Sequence, residues 1–148
     1  MAYRPRIYVA APWVKKIAAL GVKAYLVSQG LQVTSTWTEQ PDGANDDPSQ
    51  RTRTMAEYAM SDLNELLNAN VLVLLHPQVC SQGKASEFGI AYNRFMTGHM
   101  RHLYVVGDDG TKKGNVFYHL PHVTFVEAAV DVVSALKREA AYFEQGGR

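Results

Sequence analysis

The chain alternates between short apolar runs and longer stretches whose apolar positions recur every three or four residues. "RIYVAAPW" places Ile7, Tyr8, Val9 and Ala10 in a run of strand length closed by Pro12. From Trp13 to Gln29 the period lengthens. Val14, Ile17, Ala18, Leu20, Ala24 and Val27 predict a helix, with Gly30 as its C-terminal stop. "LQVTSTW" alternates Leu31, Val33, Ser35 and Trp37 and predicts a second strand. Residues 39–50, rich in Pro, Gly, Asn and Asp, predict a flexible loop, either a lid or a disordered insertion. A helix is predicted over 52–69, with Met55, Ala59, Met60, Leu63, Leu66 and Leu67 on its apolar arc.

"VLVLLH" is uninterrupted aliphatic sequence, the pattern of a central parallel strand buried on both faces. The "PQVCSQGK" loop, which holds Gly83, leads to a predicted helix over 85–97. "HLYVVG" predicts a strand, "DDGTKKGN" a polar turn and "HVTFV" a short last strand. The final helix is predicted over 126–143, with Ala129, Val130, Val133, Leu136, Ala140 and Phe143 facing in. Strands alternating with helices imply one α/β domain over residues 1–148. The expected architecture is a flavodoxin-like (Rossmann-like) sandwich, a mostly parallel five-stranded sheet with helices on both faces. Ligands of such sheets bind beyond the C-terminal strand ends, at the switch in strand order. The loops at that address are "APW", residues 38–52, "HPQVCSQGKASE" and "GDDGTKKGN".

Composition narrows the partners. Hydrophobic residues make up 47% of the chain, and fifteen basic against fourteen acidic residues leave a formal charge of +1. No one-signed field favours a nucleic acid polymer or an anionic membrane. One cysteine, Cys80, excludes an intrachain disulfide and a cysteine-based zinc cluster. Neither a signal-peptide pattern nor an apolar run of membrane-spanning length is visible, so a cytoplasmic, soluble domain is expected. His99 and His102, and His119 and His122, are each spaced by three, but no carboxylate or cysteine pattern accompanies them. No metal site is expected there. Walker A and GxGxxG patterns are both missing, so no nucleoside triphosphate or dinucleotide grip is indicated.

Three side chains carry candidate chemistry. Glu87, in "GKASEFGIAY", is either a first-turn glutamate complementing a helix dipole or a catalytic carboxylate at a strand-to-helix junction. Gly83 before it lets a ligand approach the backbone. Asp62 lies at the edge of an apolar helical arc, as either a solvated aspartate or a partly desolvated acid able to donate a proton. Tyr8, within the first strand, is either core or a hydroxyl partnered by a carboxylate at a neighbouring strand end. Trp13 and Trp37 each follow a strand, where either core packing or stacking on a bound ring fits. Lys15 and Lys16 are either solvated or a phosphate contact.

"IYVAAPW", "SDLNELLNANVLVLL", "GKASEFGIAY" and "GNVF", in that order, closely resemble the nucleoside 2-deoxyribosyltransferase family and its N-glycosidase relatives. The resemblance runs from Ile7 to about Phe125. It implies that Glu87 is the nucleophile, that Asp62 protonates or anchors the base, and that Tyr8 positions the nucleophile. It also implies that Asn115 is lent to a neighbouring subunit's site, hence a homo-oligomer, dimer or higher, with shared active sites. The transferases commonly carry an acidic residue six positions before the nucleophile, where this chain has Ser81. A serine there resembles the nucleoside 5′-monophosphate N-glycosidases, in which it contacts phosphate. The "PWVKK" segment departs from those hydrolases' serine-rich turn. The implied activity is cleavage of the N-glycosidic bond of a 2′-deoxyribonucleoside or its 5′-monophosphate, in nucleotide salvage or related metabolism. The deoxyribosyl group would pass to another base or to water, with no metal or organic cofactor. The alternative is a non-catalytic nucleotide-binding or sensor domain on the same fold.

Overall fold

A computed structural model describes residues 4–41, 47–76, 81–107 and 116–146. Five strands form one sheet: β1 (Arg6–Ala10), β2 (Gln32–Val33), β3 (Val71–Leu75), β4 (His102–Val106) and β5 (Val123–Val126). Four helices connect and cover them: α1 (Lys16–Ser28), α2 (Met55–Asn68), α3 (Gln82–Met96) and α4 (Ala129–Glu144). The strand order is β2-β1-β3-β4-β5 and every pairing is parallel. This is the flavodoxin-like α/β arrangement expected from the alternation, with the sheet wholly rather than mostly parallel.

The register centres on β3, which pairs with β1 (Tyr8 opposite Leu72) and with β4 (Leu72 opposite Leu103). All five β3 residues are buried, which explains its unbroken aliphatic sequence. Right-handed crossovers carry the chain from β1 outward to β2 and from β3 outward to β4, so α1 and α3 cover opposite faces. Accordingly α1 packs on α4 and α2 packs on α3. Leu72→Ala, in the middle of this core, is expected to cost about 2–5 kcal/mol, read as a lower urea midpoint.

Helix α1 corrects its expected face. Val14 and Ile17 are 81% and 80% exposed, and Leu20 and Val27 also face solvent. The inward stripe is instead Ala19, Val22 and Leu26, with Tyr25 beside it. Both stripes are apolar at helical spacing, so periodicity alone does not choose between them. Trp13–Lys15 form a 3₁₀ turn rather than the first turn of the helix.

Helix α2 keeps part of its expected arc, with Leu66 buried and Leu63 half-buried. Met55, Ala59, Met60 and Leu67 are exposed, while Tyr58 is buried. The helix is tied at both ends. Thr54 Oγ1 accepts the Glu57 N–H at 3.2 Å, and the Glu57 carboxylate accepts the Thr54 N–H at 2.6 Å, a reciprocal cap. At the other end Asn70 Oδ1 accepts the Arg6 N–H at 2.8 Å, tying the short α2–β3 connection to β1. In α4 the buried residues are Val132, Val133 and Leu136, and Val130 is exposed.

The second strand is much shorter than its alternation predicts: β2 ends at Val33. One more backbone bond follows, the Thr34 N–H donating to the Ile7 carbonyl at 2.7 Å, and after it side chains replace the ladder. Ser35 Oγ accepts the Val9 N–H at 3.1 Å, and Trp37 Nε1 donates to the Val9 carbonyl at 2.8 Å. The alternation therefore marks burial correctly, because Ser35 and Trp37 point inward, but not strand length. The expected loop over 39–50 includes a 3₁₀ turn at Pro48–Gln50, and its residues 42–46 lie outside the described residues.

Candidate active site

Strand order reverses between β1 and β3, and the cleft this creates is where α/β sheets of this type hold ligands. A cavity of about 220 Å³ opens there. Its wall includes Trp13, which follows β1, Trp37 and Gln40, which follow β2, Tyr58 and Asp62 of α2, Ser81 just before α3, and Gly83, Lys84 and Glu87 of α3. Tyr8 stands behind the wall, fully buried in β1.

The helix beneath Glu87 begins earlier than its sequence suggests. Ser81 is the N-cap, its Oγ accepting the Lys84 N–H at 3.5 Å, and Gln82 opens the helix. Gly83 is thus in the first turn rather than in a loop, and Glu87 is in the second. No acidic residue occupies the first turn of α3, so the helix-dipole reading of Glu87 falls away. At Gly83 an added Cβ would meet no described atom within 4 Å. Packing does not require glycine here; its missing side chain widens the cavity.

Glu87 is held at both carboxylate oxygens. The Tyr8 hydroxyl donates to Oε1 at 3.0 Å, and the Lys84 ammonium is paired with Oε2. The Lys84 and Glu87 side chains are only 12% and 13% exposed. The Lys84 ammonium also lies 5.4 Å from the Trp37 ring centroid, within cation–π range. Burial first, then the Glu87 charge, raise the Tyr8 pKa, so this phenol remains a donor.

Asp62 is the second carboxyl of the cavity. Its pKa is pushed up from the ordinary 3.8 to about 6, chiefly by burial and next by the Glu87 charge. Lys84 and Arg53 oppose that rise, and Glu65 adds to it. Two carboxyls in one cleft, one braced by a phenol and an ammonium, the other displaced toward its acid form, are suited to different roles.

The tryptophans form the opposite wall. Trp13 and Trp37 lie 6.1 Å apart, centroid to centroid, tilted by 42°. Gln40 joins them, and its Nε2 is buried without a partner among the described residues. Lys15 donates to the His76 carbonyl at 3.0 Å, and Lys16 is paired with the Gln40 carbonyl while lying 4.5 Å from the Trp13 ring centroid. Both lysines therefore brace loops around the cleft.

Of the residues singled out in the sequence, Tyr8, Trp13, Asp62, Ser81, Gly83 and Glu87 converge on this cleft. Asn115 lies outside the described residues. Sequence reasoning missed Lys84, Tyr58 and Gln40. Lys84 precedes Glu87 by three and Tyr58 precedes Asp62 by four, spacings that put each pair on one helical face. Gln40, in an irregular segment, has no comparable signal.

No protein-family model matches the chain, and no curated protein does. Among solved structures it is similar to one described as "conserved protein from Enterococcus faecalis V583". The TM-score is 0.58 at 19% identity, covering 93% of this chain and 99% of that one. At that identity the likeness establishes the fold. No helix among the described residues is long and apolar enough to cross a membrane.

Proposed function

We propose that this chain breaks the N-glycosidic bond of a 2′-deoxyribonucleoside or its 5′-monophosphate, through a glycosyl ester on Glu87. The observation that carries the reading is the pair of carboxyls: Glu87 braced by Tyr8 and Lys84, facing the same cavity as Asp62 with its pKa near 6. Cleavage of such a bond proceeds through an oxocarbenium-like transition state, which a carboxylate on one side and an acid on the leaving group stabilise together. A Glu87 oxygen bonds to the anomeric carbon as the bond to the base nitrogen breaks. The electron pair of that bond goes to the base, and Asp62 supplies the proton. A second base or water then attacks the same carbon, the ester bond breaks back onto Glu87, and the incoming group's proton returns to Asp62. Two displacements retain the configuration.

The remaining wall fits a nucleoside. The Trp13 and Trp37 rings offer apolar surface to a base. Ser81 caps α3 through its oxygen, and a serine hydroxyl can still donate to a phosphate. That phosphate would stand at the N-terminus of a 15-residue helix. Exposed Val116 and Phe117 follow Asn115 directly, and Met55 and Met60 are exposed on α2. These apolar groups support a homo-oligomer in which Asn115 reaches a neighbour's cleft.

A product assay tests the reading. Deoxynucleosides and their 5′-monophosphates are incubated with and without a second free base, and released bases are resolved by chromatography. Base exchange on unphosphorylated substrates is the result expected of a transferase. Release of base and deoxyribose 5-phosphate from monophosphates alone is expected of a hydrolase that uses Ser81 for phosphate. No turnover on any pair, with binding still detected by calorimetry, would replace the enzyme by a sensor domain.

A further inference from the structure

Lys84 is the one cation among the described residues that line the cavity, and it is paired with the carboxylate proposed to attack. We infer that Lys84 is a positioning residue that follows the negative charge, pairing with Glu87 in the resting site and with Asp62 once Glu87 is esterified. The inference rests on the glycosyl-ester reading above and adds a residue to it.

The geometry assigns the carboxylate oxygens. Tyr8 comes from the sheet and is rigidly buried, whereas Lys84 reaches Oε2 on a flexible four-carbon stem from one turn earlier in the same helix. The oxygen that Tyr8 holds keeps its partner through the reaction. Oε2 is then the attacking atom, and the ammonium must leave it as the bond to the anomeric carbon forms.

Charge bookkeeping says where the ammonium goes. With Glu87 ionised, Lys84 protonated and Asp62 in its acid form, the trio sums to zero. After the first displacement Glu87 is a neutral ester and Asp62, having given its proton to the base, is the anion. The trio again sums to zero, but the negative charge has moved across the cleft. A cation left unpaired among groups this buried is costly, and so is a lone carboxylate. The lysine answers both by exchanging partners. The second displacement returns the electron pair to Glu87 and the proton to Asp62, and Lys84 returns to Oε2.

The groups facing Asp62 are Glu87 and Lys84 from α3, Glu65 of its own helix, Arg53 just before that helix, and Tyr8 from β1. Arg53 also carries positive charge near Asp62, but it does not line the cavity.

Lys84→Met keeps length and apolar bulk while removing the charge; Lys84→Arg keeps the charge. The rate profile of each is measured on the substrate the wild type cleaves, and the Asp62 carboxyl is titrated by ¹³C NMR without substrate. Lys84→Met is expected to lose roughly ten- to a hundredfold in kcat. Both its alkaline limb and its Asp62 midpoint should move to higher pH, because a cation opposing protonation is gone. Lys84→Arg should restore both. Circular dichroism reports folding, and Lys84→Gln is read by the same criteria if the methionine variant does not fold. A cleaving wild type whose Lys84→Met variant keeps its limb and midpoint in place overturns the role of Lys84 alone. A wild type without Glu87-dependent cleavage overturns the functional reading and this role with it.

Discussion

Glu87→Gln is expected to lower cleavage by about 10³-fold or more, with the fold intact. The amide has the size of the carboxylate, and its oxygen still accepts the Tyr8 hydroxyl now bonded to Oε1. It cannot form the glycosyl ester, because the amide is a far poorer nucleophile than a carboxylate. Lys84 loses its counter-ion in this variant, so a lower melting temperature is also expected. The decisive measurement is single-turnover release of base, with trapped ester sought by intact-protein mass spectrometry. Activity within threefold of the wild type would remove Glu87 from the chemistry and leave its bonds to Tyr8 and Lys84 as structural.

The second large effect lies at Asp62. On the proposed reading its acid form gives the proton to the departing base, and its pKa stands at about 6. The rate on the alkaline side should therefore fall about tenfold per pH unit above that value. Asp62→Asn retains a donor but cannot transfer a proton. A loss of about 10²- to 10³-fold and disappearance of the alkaline limb are expected. Stability should move the other way. Because the folded-state pKa of Asp62 is raised from 3.8 to about 6, the folded protein binds the proton more tightly than the unfolded chain does. The stability due to that proton is complete below the unfolded value and is lost as pH rises through the folded one. Above pH 6 Asp62→Asn should consequently melt higher than the wild type, while below pH 4 the two should agree. Equal melting temperatures across the range would mean that Asp62 is solvated and poorly suited to act as the acid.

Opposite movement of activity and stability would mark a carboxyl placed for chemistry. Glu87 and Asp62 share one cleft because α2 and α3 pack on the same face of the sheet, each adjoining β3, α2 leading into it and α3 following it. Neither helix buries its carboxyl by its own pattern. Asp62 is one turn from the buried Tyr58 and Leu66, whereas Met55 and Ala59, on the same side of α2 but nearer its N-terminus, are exposed. Helical spacing sets the side on which Asp62 lies, and packing sets how deep it is buried.

What the sequence by itself determined is the order and kind of the elements. The fully aliphatic β3 required two covered faces, and strands alternating with helices required parallel crossovers, so a parallel sheet with loops at its C-terminal strand ends followed. The candidate residues were visible by type and by resemblance, and most converge on one cleft. Three things were decided by tertiary structure. Helix rotation was one: α1 carries two apolar stripes, one with Ile17, Leu20 and Val27 and one with Ala19, Val22 and Leu26, and packing on the sheet selects the second. The extent of β2 was another, because the Ser35 and Trp37 side chains satisfy Val9 where a longer strand would have done so. The third was charge. Glu87, Lys84, Asp62 and Tyr8 are ordinary residues along the chain. Only shared burial in one cleft makes their charges depend on one another, since water screens the same groups when they are apart.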